Sequence, residues 1–362
     1  MTIRPSLKSG TFIHPLATNA EVRVGTRWRF CSLPSTWSGV PTRALIELCD
    51  GANSQAEIAS KSGISLVAVE SLLAELCKHD LVDTAKTPIS YLRRYNSELG
   101  RIDAVTSLDD VTKDFAIETA LKRIEMECEG ATFNPGDIDG GRSAVLRRRD
   151  FNVIIFGYGK IVNNLVGTLS ASGFSNILVI NRVGTKDPTQ KILESDIAGG
   201  YVTRSHLGQP RRTIVEEIRE RSLLFAEPRT PFHSPDLIIS IGDPTPDSLQ
   251  RWMADNSPHL LVDVGSSSEV RIGPYVIPGK SPCFRCIHIA ESREWIFTTT
   301  PDISSALALS VAGAIAHDVI SLSDRQTSIY LGTSHIHSSR NYSHPAIQHW
   351  SQHHACGCSW GG

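Results

Sequence analysis

Residues 149–182, RDFNVIIFGYGKIVNNLVGTLSASGFSNILVINR, constrain the fold more than any other stretch. Val153 to Phe156 form an apolar run of strand length that ends on Gly157-Tyr158-Gly159. A helical pattern then reaches about Ser172, and a second apolar run covers Ile177 to Ile180. Strand, glycine turn, helix and strand in that order make the crossover unit of α/β, Rossmann-type proteins. The match to a dinucleotide-binding turn is partial. Val162 stands at the third glycine position, and Asn181 stands where an acid would hold a ribose. The turn argues for the fold more than for a bound nucleotide.

Further strands fit the same sheet. PDLIISIGDP (235–244) ends in a Gly-Asp turn, and HLLVDVGSSSEVRIGPYVIPGKSPCFRC (259–286) reads as a strand followed by an alternating pair. The apolar stretch at 303–323 is cut by His317 and Asp318, so it reads as a core or dimer-surface helix and not as a membrane span. At 362 residues the chain is long enough for two domains. A net charge of −2 exerts no global pull toward nucleic acid or membrane. MTIRPSLKSGTFIHP has no basic segment followed by an apolar one, so the expected location is the cytoplasm, where thiols stay reduced.

Eight cysteines are unevenly spread. Cys31, Cys49, Cys77 and Cys128 stand alone and read as small apolar residues. The other four form close pairs, Cys283 with Cys286 in CFRC and Cys356 with Cys358 in HHACGCSW. Structural zinc commonly takes four thiolates from two such pairs brought together by folding. Gly357 would let the backbone turn tightly enough to aim both sulfurs inward. A redox role for CFRC is the competing reading, weakened because the pair does not open a helix after a thioredoxin-like strand. Four occupied ligand positions leave none for catalysis, so the expected ion is a clamp. His353 and His354 read as neighbours of the site, and His335, His337, His344 and His349 as a solvated loop.

The first 88 residues have another character. Phe12-Ile13 and EVRVGTRWRFCSL alternate as strands do, with a turn at Gly25. Three helical stretches follow: TRALIELCDG, then SQAEIASKSG with Ser54 and Glu57 as a capping box and Gly63 as its stop, then SLVAVESLLAELCKHDLVD opening at Ser65. Strands with three short helices predict a winged-helix module. Its third helix carries Glu70, Glu75 and Asp80 against Lys78 and His79, so it lacks the basic face that DNA binding needs. Residues 89–148 read as a linker with a helix from about Asp109 to Glu127, and Arg147-Arg148-Arg149 as a solvated lead-in to the first strand of the α/β domain at 149–362.

The glycine turn, PHLLVDVG (258–265), GPYVIPGKSPCFRC (273–286) and the terminal HHACGC together resemble the ThiF-type fold of ubiquitin-activating-like adenylyltransferases. More closely they resemble the ocin-ThiF-like proteins that partner YcaO cyclodehydratases in ribosomal peptide natural-product pathways. The N-terminal arrangement of strands and three helices in turn resembles the peptide-binding winged helix called the RiPP recognition element, which takes a leader peptide as an added strand. Arg23, Arg27, Trp28, Arg29 and Phe30 on the strand, with Val69, Leu73 and Lys78 on the third helix, are the expected groove residues. In ThiF-type enzymes an acid holds the ribose, an Asn-x-x-Arg-Gln stretch with a following lysine handles the triphosphate, and a later aspartate helps hold magnesium. Here Asn181 replaces the first, DPTQK (187–191) lacks the arginine, AGGYV (198–202) lacks the lysine, and Asp243 is displaced. Without those cations phosphoryl chemistry loses its electrostatic support, and tight ATP binding is not expected. The expected function is therefore a noncatalytic partner that binds a leader peptide and presents it to a YcaO enzyme, with a homodimer through the ThiF-like domain as a further expectation. The alternative is an ATP-dependent enzyme activating a peptide carboxylate, with Gly157, Gly159, Asn181, Asp187, Lys191 and Asp243 around the nucleotide.

Overall fold

The computed structural model describes residues 3–8, 11–15, 20–26, 29–84, 122–134, 137–180, 191–198, 200–224, 234–242, 244–291 and 302–358. The chain divides into two compact units, Met1–Leu146 and Arg147–Gly362.

In the first unit β1 (Ser6–Leu7) pairs antiparallel with β7 (Val82–Asp83), and β5 (Thr36–Trp37) pairs with β6 (Val40–Pro41). A three-stranded antiparallel sheet has the order β2 (Phe12–Pro15), β3 (Glu21–Gly25), β4 (Phe30–Pro34). Strand alternation sends Val22, Val24, Cys31 and Leu33 inward and leaves Arg23, Phe30 and Ser32 on the outer face. Helices α1 (Thr42–Glu47), α2 (Gln55–Ser62) and α3 (Leu66–Lys78) close the core with Leu45, Ile46, Ile58, Val69, Leu72, Leu73 and Leu76. Local chemistry sets the helix ends. Ser54 accepts from the Glu57 N–H while the Glu57 carboxylate accepts from the Ser54 N–H, Gly63 closes α2 at φ 72°, and Ser65 caps α3.

Val69 and Leu73, expected on a groove wall, are core residues at 1% and 4% exposure. Their helical spacing with Leu72 and Leu76 places all four on the face that covers the sheet. A helix, α4, covers 122–131. The turn after it is tied into the first unit by the buried Lys8, whose ammonium donates to the Thr132 carbonyl and lies 3.1 Å from Asp80 and 3.7 Å from Asp137.

The second unit is built on a seven-stranded sheet in the order β14-β13-β12-β11-β10-β8-β9. These strands are β8 (Val153–Phe156), β9 (Ile177–Ile180), β10 (Leu237–Ile241), β11 (His259–Ser266), β12 (Glu269–Val276), β13 (Thr333–Ser338) and β14 (Asn341–His349). β9, β8, β10 and β11 run parallel, and β12 to β14 continue antiparallel. The expected crossover is present, from β8 through α6 (Lys160–Ala171) to β9, and α7 (Arg211–Ser222) and α8 (Pro246–Ala254) follow it in the chain. Val153, Ile155, Val162, Leu165, Val166 and Leu169 are buried in its core. Gly157 has φ 134°, and a Cβ there would lie 3.0 Å from the Ile241 carbonyl, so glycine is what lets the turn approach β10.

The helix preceding β8, α5 (Arg142–Asp150), corrects the reading of the arginine run as a solvated lead-in. Arg148 is 3% exposed. It makes a two-pronged ion pair with Asp324, Nε to Oδ1 at 3.1 Å and Nη2 to Oδ2 at 2.8 Å. The long apolar helix, α10 (Ser305–Ser323), is long and apolar enough to cross a membrane by composition, but it packs Leu307, Val311, Ile315 and Val319 into the core. Asp318, the charge that interrupts its apolar run, accepts from Ser328 Oγ at 2.7 Å and the Ile329 N–H at 3.0 Å. The histidine cluster is also no loop. His335 and His337 lie on β13 and His344 and His349 on β14, an antiparallel hairpin in which the imidazoles replace the apolar residues that usually reveal a strand.

Candidate functional site

The two cysteine pairs meet. The Sγ atoms of Cys283, Cys286, Cys356 and Cys358 all lie within 4.8 Å of one another. Cys283 Sγ is 3.8 Å from Cys286 Sγ and 3.4 Å from Cys356 Sγ, and Cys286 Sγ is 3.4 Å from Cys358 Sγ. Four thiolates held tetrahedrally at about 2.3 Å from an ion have sulfurs about 3.8 Å apart, whereas a disulfide requires about 2.0 Å. The donor set fits a metal ion with no open coordination position.

Each part of the cluster has a local cause. Cys286 lies in the first turn of α9 (Phe284–Glu291), with Cys283 immediately before the helix. Cys356 and Cys358 follow β14 on either side of Gly357, whose φ of 74° is the left-handed conformation glycine adopts without strain. Val276, Met253 and Ile289 pack around the sulfurs. Burial pushes the Cys283 thiol up and the Cys358 thiol up to about 11. At Cys286 burial is outweighed by donors, chiefly the His353 N–H at 3.3 Å, and the thiol is shifted down. His353 thus serves the cluster through its backbone, while its ring stacks on His354 at 4.5 Å.

At the glycine turn, Gly159 precedes the first turn of α6 with φ 94°. The space beside it is occupied by an acid, since Asp196 Oδ1 lies 3.8 Å from where a Gly159 Cβ would sit. Asp196 accepts from Arg211 Nη1 at 2.6 Å and from the Leu193 N–H at 2.8 Å, and the Arg211 guanidinium lies 4.6 Å from the Tyr158 ring centre. Asp196 and Arg211 are 3% and 4% exposed. Nothing in the spacing of the sequence linked these two residues to the turn. Lys191 is exposed, in a bridge to Pro210. Asn181, Asp187 and Asp243 lie outside the described residues.

The first unit presents a strand edge beside a helix. The Thr26 N–H donates to the Arg29 carbonyl at 2.6 Å and the Ser35 N–H to the Ala20 carbonyl at 2.8 Å, bracketing the β3–β4 register. Hydrogen-bonded and non-bonded pairs alternate in an antiparallel ladder. Cys31 and Leu33 therefore bond to β3, and Phe30 and Ser32 turn their N–H and C=O groups outward. Pro34 also faces outward, but it has no N–H and its carbonyl accepts from Thr42 Oγ1. On the opposite edge the same alternation turns Ile13 and Pro15 outward, leaving β2 one outward N–H in that pair. α3 runs beside β4, pinned at one end by Arg29 to Asp80 at 2.8 Å and at the other by Trp37 Nε1 to the Ala68 carbonyl at 2.9 Å. Arg23, Arg29, Phe30 and Lys78 are at this edge or on its flanking elements, whereas Arg27 and Trp28 lie outside the described residues. Ser32, with its outward backbone, was not among the expected groove residues.

The mixed sheet and the glycine-turn crossover give the second unit an α/β fold of the ThiF-like kind, and the cysteine cluster is compatible with a metal site in it. Among solved structures the chain is similar to E. coli MccB with ATP, at 13% identity and TM-score 0.62, covering 98% of this chain and 99% of that one. It is likewise similar to the microcin C7 biosynthetic enzyme MccB in complex with N-formylated MccA, at 14% identity and TM-score 0.61 over 98% and 99%. A third likeness is to PaaA, at 14% identity and TM-score 0.62 over 96% and 100%. No family model matches the sequence, and no curated protein matches it. At these identities the likeness establishes the fold.

Proposed function

We propose that this protein binds the leader of a precursor peptide and presents it to a separate YcaO cyclodehydratase, without carrying out ATP chemistry itself. In this reading residues 1–88, within the first unit, form a winged-helix RiPP recognition element. The observation that carries it is the outward backbone of Phe30 and Ser32 beside α3, because an extended peptide gains main-chain hydrogen bonds at such an edge whatever its sequence. MccB in complex with MccA supports a second molecule as a ligand of this fold. Zinc on Cys283, Cys286, Cys356 and Cys358 would be the clamp that holds the C-terminal segment to α9. Holding the leader raises the concentration of the attached core peptide at the partner's active site.

The second reading, an ATP-dependent enzyme, is favoured by the likeness to MccB with ATP. The Asp196–Arg211 ion pair opposes it, because the acid beside the glycine turn already engages the nearby cation, and the pair offers phosphates no net positive charge. Purified protein with magnesium-ATP and a precursor peptide should release neither pyrophosphate nor phosphate above background. Adding a YcaO partner should start phosphate release. Turnover by this protein alone would decide for the enzyme reading.

A further inference from the structure

Among the described residues, Arg23 is an exposed cation beside the open part of β4 with no carboxylate paired to it. It stands directly across from Ser32 on the outer face, and its guanidinium lies 3.4 Å from the centre of the Phe30 ring. Among the described residues its guanidinium makes no hydrogen bond or ion pair. Arg29, a second described cation beside this edge, is already bound to Asp80 at 2.8 Å, and Lys78 lies 3.5 Å from Glu75. Stacking on Phe30 fixes the Arg23 head over β4, so little side-chain freedom remains to be lost when a ligand arrives. Phe30 itself is 39% exposed, so part of its aromatic surface stays open beside the guanidinium stacked on it.

A strand added to β4 would run about 4.8 Å away. Its residues opposite Phe30 and Ser32 fall in hydrogen-bonded pairs and share the outer face with those side chains, while the residue between them turns toward α3. A carboxylate on that outer face comes within reach of the guanidinium, which matches it in planar, two-pronged geometry. Its neighbour two residues away lies against Phe30. Resting on the strand-addition reading, we infer that the ligand is an acidic, amphipathic extended peptide, with one Asp or Glu for Arg23 and, two residues from it, a large apolar side chain for Phe30. Arg23 is then a specificity-determining residue, and the backbone edge supplies the affinity common to all peptides.

Panning a random linear peptide library on the full-length protein tests this, with Arg23→Glu and Ser32→Pro panned in parallel. The unaltered protein should enrich an acid spaced two residues from a large apolar residue. Arg23→Glu should exchange that acid for Lys or Arg, and Ser32→Pro should enrich nothing above background. If the unaltered protein and Arg23→Glu enrich the same sequences while Ser32→Pro enriches none, strand addition stands and the acidic specificity is wrong. If Ser32→Pro enriches what the unaltered protein does, or the unaltered protein enriches nothing, the strand-addition reading fails and this inference falls with it.

Discussion

Cys283→Ser protein should lose its metal and release its C-terminal segment. The four sulfurs come from two stretches some seventy residues apart in sequence, and among the described residues they are the only group arranged to hold an ion. A serine hydroxyl is a far poorer ligand for zinc than a thiolate, and three sulfurs cannot close the tetrahedron. Structural zinc contributes about 10–16 kcal/mol in small zinc modules, and a fraction of that exceeds the roughly 2–5 kcal/mol of an ordinary core truncation. Elemental analysis should find a single zinc per chain in the unaltered protein and almost none in the variant. Limited proteolysis should cut the variant between Trp350 and Cys358 first. Cys77→Ser, at an exposed position on α3, should change neither result. A variant that keeps its metal and its protease resistance would remove the clamp from this account.

The second large effect is expected far from the cysteines. Asp324→Ala takes the two-pronged carboxylate away from the Arg148 guanidinium, which stays buried. Breaking a buried pair by removing one partner typically costs about 3–5 kcal/mol, because the remaining charge stays out of water. Denaturant unfolding followed in the second unit should report a loss of that size. Replacing both residues, Arg148→Met with Asp324→Leu, should recover most of it, since no charge is then stranded. A loss under about 1 kcal/mol for Asp324→Ala would place the pair in the class of solvent-screened contacts.

The sequence is legible where the physics is local. Ser54 with Glu57, Gly63, Ser65 and the Gly157 turn act within a few residues of themselves, and each behaves as its spacing implies. The cysteine pairs are legible for a different reason, because two such close spacings in one chain are a common way to bring four thiolates to one point. Arg148 was misread because its partner lies 176 residues away, and a charge run with no visible counterion reads as solvated. Val69 and Leu73 show the reverse error. Their spacing already marked them as core, whereas Ala68, whose carbonyl accepts from Trp37, is a residue that any solvated helix surface could have. The histidine hairpin escaped because imidazole alternation carries no hydrophobic period.

Strand addition at β4 is the central claim, and one measurement meets it directly: the affinity of a fluorescent leader peptide for Ser32→Pro protein against Ser32→Ala. Both changes are at an exposed position, and neither touches a β3–β4 hydrogen bond, because Ser32 faces its backbone outward. Proline removes the outward N–H and is tolerated on an edge strand, whereas alanine keeps it. Circular dichroism should find both variants folded. Anisotropy should find the alanine variant within about twofold of the unaltered protein and the proline variant at least about tenfold weaker, the scale of one lost hydrogen bond plus a blocked approach. A folded proline variant that binds the leader as the alanine variant does would contradict the account.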